Sequence, residues 1–186
     1  MNFFKMCFPV VLFAAACTTI DEKRGEQPLA DAVVKLGPTS GSTAKGSVEF
    51  FTSGTEVQLK LLVMGLSPGK HAVHLHEKGD CSSPDGESAG PHWNPMGHQH
   101  GQLDQPPAHY GDIGNIEVSG DGRGTLVFST SYWSVGTGRN NDILGKAVVI
   151  HDSVDDFTSQ PAGNSGKRIA CGVVMPGKAL PLYSAR

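Results

Sequence analysis

The clearest pattern in this chain is strict alternation between 56 and 63. Val57, Leu59, Leu61 and Val63 take every second position, with Glu56, Gln58, Lys60 and Leu62 between them. Successive side chains of a strand point to opposite faces, so the run predicts a strand with one buried face. Shorter apolar runs predict further strands at 32–36, 47–51, 71–77, 113–118, 124–130, 146–151 and 168–174. Turn chemistry separates them at Ser53-Gly54, Pro68-Gly69 and Gly120-Asp121-Gly122. Eight short strands with frequent turns indicate an all-β, antiparallel sandwich or barrel. Two segments, 78–111 and 152–167, break the rhythm and are rich in Gly, Pro, His and Asp. Irregular loops of this length in a compact domain are functional or disordered. A disordered loop has little reason to gather four histidines, as 78–111 does, so both loops are expected to form the site.

Composition agrees with a turn-rich β domain: Gly 24 and Pro 12 are high, and 38% hydrophobic residues suffice for an ordinary core. The first 16 residues fall outside that domain. Lys5 precedes an apolar run, 8–16, too short to span a bilayer but suited to a signal peptide. Ala14-Ala15-Ala16-Cys17 resembles the lipobox of bacterial lipoproteins, in which the cysteine is acylated and becomes the N-terminus. Ala14 stands where leucine is usual, which leaves ordinary signal cleavage open. The expected division is therefore a signal peptide at 1–16, a polar tether at 17–30 and a folded domain at 31–186. The protein is expected to be exported to the periplasm or cell envelope, touching a membrane only through a lipid on Cys17. Without the leader, 14 basic residues face 18 acidic ones, and no basic stripe invites nucleic acid. Cys7 departs with the leader. An oxidising compartment would pair two of the remaining three cysteines, with Cys81 and Cys171 inside the domain and Cys17 left at the cleavage site.

Histidine placement carries the chemistry. His74 and His76 share one strand face a pleat apart, so both rings can reach one ion. Taken alone, His-x-His is weak evidence. His92, His98, His100 and His109 follow in the long loop, then Asp112, and His151 closes a later apolar run. An imidazole-rich set with one carboxylate suits copper and zinc and argues against calcium or magnesium.

The segment from Gly65 through His74-Leu75-His76 to Cys81 resembles the first copper-binding strand of the copper/zinc superoxide dismutases. Ser88-Ala89-Gly90-Pro91-His92-Trp93-Asn94-Pro95 with His100-Gly101 resembles the start of that family's zinc loop, and His109-Tyr110-Gly111-Asp112 its end. Val148-Val149-Ile150-His151-Asp152 and Gly166-Lys167-Arg168-Ile169-Ala170-Cys171-Gly172 are similar to the two remaining signatures. Five motifs in the right order span nearly the whole domain. Ala72 departs from the glycine common in the family.

The resemblance implies an eight-stranded antiparallel Greek-key sandwich or barrel, immunoglobulin-like, with a long zinc loop and a shorter second active-site loop; the family is a standard example of that architecture. It implies copper on His74, His76, His92 and His151, and zinc on His92, His100, His109 and Asp112, with His92 bridging the two ions as an imidazolate. Asp155 would join His74 to His100 and fix both rings, while neighbouring Asp156 has the look of an ordinary solvated loop acid. A Cys81–Cys171 bridge would tie the zinc loop to the last strand beside Arg168, which would attract and orient superoxide. The implied activity is superoxide disproportionation, with Arg168 and His92 catalytic and His92 carrying a proton. His71 is expected to be structural and His98 exposed, and Trp93 and Tyr110 to pack the loop. The second loop carries few charges, so little anion steering is expected from it. An envelope copper or zinc binding or delivery protein on the same fold is the alternative, and a homodimer is left open.

Overall fold

The structure, a computed structural model, describes residues 29–177 of the 186. The leader, Cys17 and most of the tether fall outside the described residues. Among the described residues nine strands form: β1 (Ala32–Pro38), β2 (Lys45–Ser53), β3 (Glu56–Met64), β4 (Gly69–His76), β5 (Asp112–Val118), β6 (Arg123–Thr130), β7 (Ala147–His151), β8 (Arg168–Val173) and a two-residue β9 (Met175–Pro176). All pairings between them are antiparallel, in the order β2-β3-β6-β5-β4-β7-β8-β1, and β1 pairs back onto β2. Eight strands therefore close into a barrel, and closure removes the free edges that an open sheet would expose. Passing from β3 to β4, and from β6 to β7, skips two strands each time, which is the Greek-key connection. The ninth strand, absent from the sequence reading, lies along β1 (Val33 opposite Met175).

Alternation predicts the strand faces well where one face meets solvent. Val57, Leu59, Leu61 and Val63 of β3 are buried and pack with Val48, Phe50, Ile116 and Ile150 in one core. Two strands behave differently: β4 is buried without a break from His71 to His76, and β7 throughout. Both faces of these strands are covered, one by the core and the other by loops. Val73, Leu75, Val148 and Ile150 belong to the main core. On the outer side Ala147 and Val149 join Ala89 and Cys171 in a small second cluster. That cluster seats the 78–111 loop against the barrel. The Cys81–Cys171 disulfide, with Cα atoms 5.7 Å apart, fastens the loop there.

The ladder is irregular at two positions that matter. Opposite His74, β5 carries an extra residue, since Val73 faces Gly114 but His74 faces Asp112. Opposite His151, β8 carries another, since Ile150 faces Ala170 but His151 faces Arg168. A bulge bends its strand and re-aims the adjoining side chains. Asp112 and Arg168 are the residues re-aimed here.

A third irregular segment, 131–146, escaped the sequence reading because its apolar residues follow no period. Trp133 and Ile143 from it are fully buried. Trp133 packs on Phe50 and Phe128, and its indole N–H donates to the Tyr110 carbonyl at 2.8 Å, tying this segment to the long loop.

Candidate metal centre

Four imidazoles meet outside the barrel wall. His74 and His76 come from β4, His151 from the end of β7, and His92 from the long loop, which pairs with β4 through a His76–His92 bridge. Each ring offers one nitrogen within 4.8 Å of the others. His74 Nδ1, His76 Nε2, His92 Nε2 and His151 Nε2 are buried with no hydrogen-bond partner. A buried polar atom without a partner is costly, and here the four point to a common ligand.

The opposite nitrogens are held. His76 Nδ1 donates to the Gly90 carbonyl at 2.8 Å, and His74 Nε2 donates to Asp155 Oδ2 at 2.8 Å. His151 Nδ1 lies 3.3 Å from the Gly166 carbonyl. Fixing one nitrogen as the donor leaves the other free to bind a metal. Burial pushes the pKa of His76 and His151 well below the ordinary value. It also lowers that of His74, against the opposing pull of Asp155, and takes His92 down to about 4. All four therefore sit as neutral ligands.

The second group is His92, His100, His109 and Asp112, again within 4.8 Å. One oxygen organises it: Asp112 Oδ1 lies 2.9 Å from His92 Nδ1, 3.0 Å from His100 Nδ1 and 3.2 Å from His109 Nδ1. The His100 contact is short, yet that nitrogen counts among those without a hydrogen-bond partner, because the approach is misaligned. Misalignment at such a distance suits two ligands of one ion: tetrahedral zinc at about 2.0–2.1 Å separates its ligands by about 3.3 Å. Asp112 Oδ2 faces away and accepts the backbone N–H groups of Gly101 (3.0 Å) and His109 (2.9 Å). Burial opposes ionisation of Asp112, but the close approach of three histidines outweighs it and holds the carboxyl far below its usual range.

Asp155 lies buried between the groups. Oδ1 accepts from His100 Nε2 at 2.9 Å while Oδ2 accepts from His74. Its backbone is locked by Asn115, whose side chain accepts from Asp155 N–H and donates to Asp155 C=O. Burial raises the Asp155 pKa, but His100 and His74 overcome it and bring it to about 2. For His100, burial opposes protonation, yet Asp112 and Asp155 together raise it to about 9.

A cleft of about 1400 Å³ opens on His76, His92 and His151, and Arg168 lines it. Residues 44–174 match the sequence profile of the copper/zinc superoxide dismutase family. The chain belongs to this family. It is 41% identical over 150 residues to the superoxide dismutase (Cu-Zn) of Caulobacter vibrioides, covering 78% of this chain and 84% of that one. It is 39% identical over 142 residues to the extracellular superoxide dismutase (Cu-Zn) of Haemonchus contortus, covering 72% and 76%. Among solved structures, a double mutant of a superoxide-dismutase-like protein from Bacillus subtilis superposes with a TM-score of 0.69 at 37% identity, covering 76% of this chain and 95% of that one. Copper and zinc are the cofactors of this dismutase family, and the two histidine groups fit such a pair. Four imidazoles suit copper, and three imidazoles with a carboxylate suit tetrahedral zinc.

The structure brings His74, His76, His92, His100, His109, Asp112, His151 and Asp155 into one cluster, with Arg168 on the cleft wall. His71 stands apart from both groups: its buried ring braces the His151 carbonyl through Nδ1 at 2.8 Å. His98 is exposed. Asp156 is exposed, as expected, and accepts from the Ser159 hydroxyl, the Ser159 and Thr158 amides and the Asn164 side chain, which hold its pKa far down.

Sequence reasoning missed four contributors. Gln160 clamps His100 from the second loop, accepting its N–H at 2.8 Å and donating to its carbonyl at 2.9 Å. Gly163 leaves room for Asp155: a Cβ there would lie 1.9 Å from Asp155 Oδ1. Arg139 and Lys146, from segment 131–146, bring positive charge to the cleft that the second loop does not. Only Gly163 left a trace in the sequence, as a turn-forming Gly-Asn within a site loop.

Proposed function

We propose that this protein disproportionates superoxide, converting two superoxide anions and two protons to dioxygen and hydrogen peroxide. His74, His76, His92 and His151 would hold copper, and His92, His100, His109 and Asp112 would hold zinc. One observation carries the reading: His92 faces both groups, with Nδ1 2.9 Å from Asp112 Oδ1 and the unpartnered Nε2 turned toward the other three rings. Bound copper supplies one-electron redox chemistry, while zinc, with a filled d shell, supplies charge and fixed geometry.

The chain's own groups do the rest. Arg168 attracts the anion and orients it at the cleft. His92 Nε2, at the junction of the two groups, would carry a proton to the reduced oxygen species only while it is not bound to copper. Asp155 keeps the His74 and His100 rings oriented, so the ligand geometry survives each turnover.

Metal analysis with an activity assay on the purified domain tests this. Near-stoichiometric copper and zinc are expected, with turnover that falls sharply in Arg168→Ala at unchanged metal content. Bound metal without turnover would instead make the protein a copper or zinc binding or delivery protein. Export is proposed as well. It is supported by the apolar run before Cys17, by a disulfide that needs an oxidising compartment, and by the extracellular relative. Acylation at Cys17 would appear as incorporated fatty acid that is lost in Cys17→Ser.

A further inference from the structure

Arg168 does not face the cleft as a free cation. Its Nη1 donates to the Gly86 carbonyl at 2.8 Å, and its Nη2 lies 3.0 Å from Glu87 Oε2. The arginine side chain is 11% exposed and that of Glu87 is 65% exposed, so the acid stands on the solvent side of the pair. Gly86 lies flat against the arginine stem: a Cβ there would be 3.2 Å from Arg168 Cβ, and its φ of +77° favours glycine. Cys81 and Cys171 join the segments carrying the two partners. Cradle and arginine therefore share one covalent frame, and Glu87 lines the same cleft as His76, His92 and His151.

We propose that Glu87 is an anion-selectivity gate at the copper mouth, its carboxylate competing with incoming anions for Arg168 and rejecting them in proportion to their charge. The proposal rests on reading the cleft as that mouth. A fixed charge acts on an anion with an energy proportional to the anion's own charge. For two anions at one position, the logarithm of the Glu87 effect is thus twice as large for a dianion as for a monoanion. Superoxide, a small monoanion needing only brief contact, loses least; phosphate loses most. Arg139 and Lys146 also line the cleft but are offset in charge by Glu77 and Asp142, so discrimination between anions falls to the Arg168–Glu87 pair.

Glu87→Gln in the copper- and zinc-loaded protein isolates the charge, because glutamine keeps the size and one acceptor and the site is exposed. Azide, titrated against the visible absorption of the cupric ion, reads monoanion affinity; phosphate at pH 8, competing with azide, reads the dianion. Azide should bind about two- to fivefold more tightly in Glu87→Gln, the upper figure matching a full unit charge at about 4 Å in water. Phosphate should tighten by about the square of the azide factor. The rate constant for superoxide should rise and fall more steeply with added salt. Unchanged azide and phosphate affinities would overturn the gate, and so would equal factors for both, which mark a geometric effect. A wild-type protein that binds azide but does not turn over superoxide would remove the dismutase reading while the squared relation still upholds the gate. No azide response in either protein would overturn the gate and the copper mouth together.

Discussion

Replacing Cys81 with serine tests how the long loop is held. Cys81 is the better of the two to change: it is half-buried, whereas Cys171 sits at 3% exposure in the cluster with Ala89, Ala147 and Val149. A serine at 81 can be solvated, and the thiol left at 171 behaves as a small apolar group. The bridge joins residues 90 apart. Closing a loop of that length in the unfolded chain stabilises the fold by about 4–5 kcal/mol on the chain-entropy model. For a domain of about 150 residues each kcal/mol is worth about 3 °C, so the metal-stripped Cys81→Ser protein should melt about 12–15 °C lower. Calorimetry on stripped protein keeps metal loss out of that figure. The loaded protein should lose more, because the loop carrying His92, His100 and His109 is no longer pinned to β8. Turnover should fall as well, since the Gly86 carbonyl that aims Arg168 belongs to the freed loop. A shift under about 3 °C in the stripped protein would refute the reasoning, and unchanged turnover would confine the bridge to stability.

Asp155→Asn should weaken zinc binding about 10–100-fold in a chelator competition, with copper affected less, because His100 lies on a loop while His74 is fixed in β4; equal loss of both metals would contradict this. Gly163→Ala should reproduce the zinc loss with every ligand intact, since the new Cβ collides with Asp155 Oδ1 and the residue sits at φ +65°; wild-type zinc retention would refute it. In metal-stripped protein, stability should fall as pH drops from about 6.5 toward 4. The folded-state pKa values of His74, His76, His92 (about 4) and His151 lie below 6.5, so the unfolded chain takes up those protons first. His100, raised to about 9, works the other way, its contribution complete below 6.5 and lost as pH rises through 9; but one histidine faces four. Asp155 stays ionised until pH falls from 3.8 toward 2 and does not alter the sign. A urea midpoint higher at pH 4.5 than at pH 7 would reverse the conclusion.

How much was legible in the sequence depended on what each residue packs against. The strand 56–63 was plain because β3 has one solvent face, so burial alternates. In β4 and β7 alternation is lost, since the loops cover the outer face as the core covers the inner one. There, strand parity still paired His74 with His76. Spacing could not say that His92, His100 and His109 would meet them, because irregular loops have no period; only the resemblance to a family brought them together. The bulges that re-aim Asp112 and Arg168 leave no sequence signal of their own. Gln160 and Glu87 were invisible for a related reason: each acts on a residue of another segment, His100 and Arg168, through a contact that local pattern does not encode.

The two histidine groups differ in the backbone that carries them, and this sets what each needs from its surroundings. His74, His76 and His151 stand on β4 and β7, whose ladders already fix the main chain. His92, His100 and His109 stand on a loop that has to be fixed by other means. The means are all present: the disulfide at one end, the Ala89 cluster beneath it, the Trp133 indole on the Tyr110 carbonyl, Gln160 on His100, and Asp112 at the bulge of β5. Asp155 then joins the two regimes, because one of its oxygens holds a strand histidine and the other a loop histidine. A ligand set built only on strands would need no such links. One built only on the loop would have to order more than thirty residues against their entropy, at about 1–2 kcal/mol each, without a rigid wall to order them against. The shared His92 is thus the point at which a rigid half and a supported half must agree in geometry. The residues around it place their hydrogen bonds where that agreement is hardest to keep.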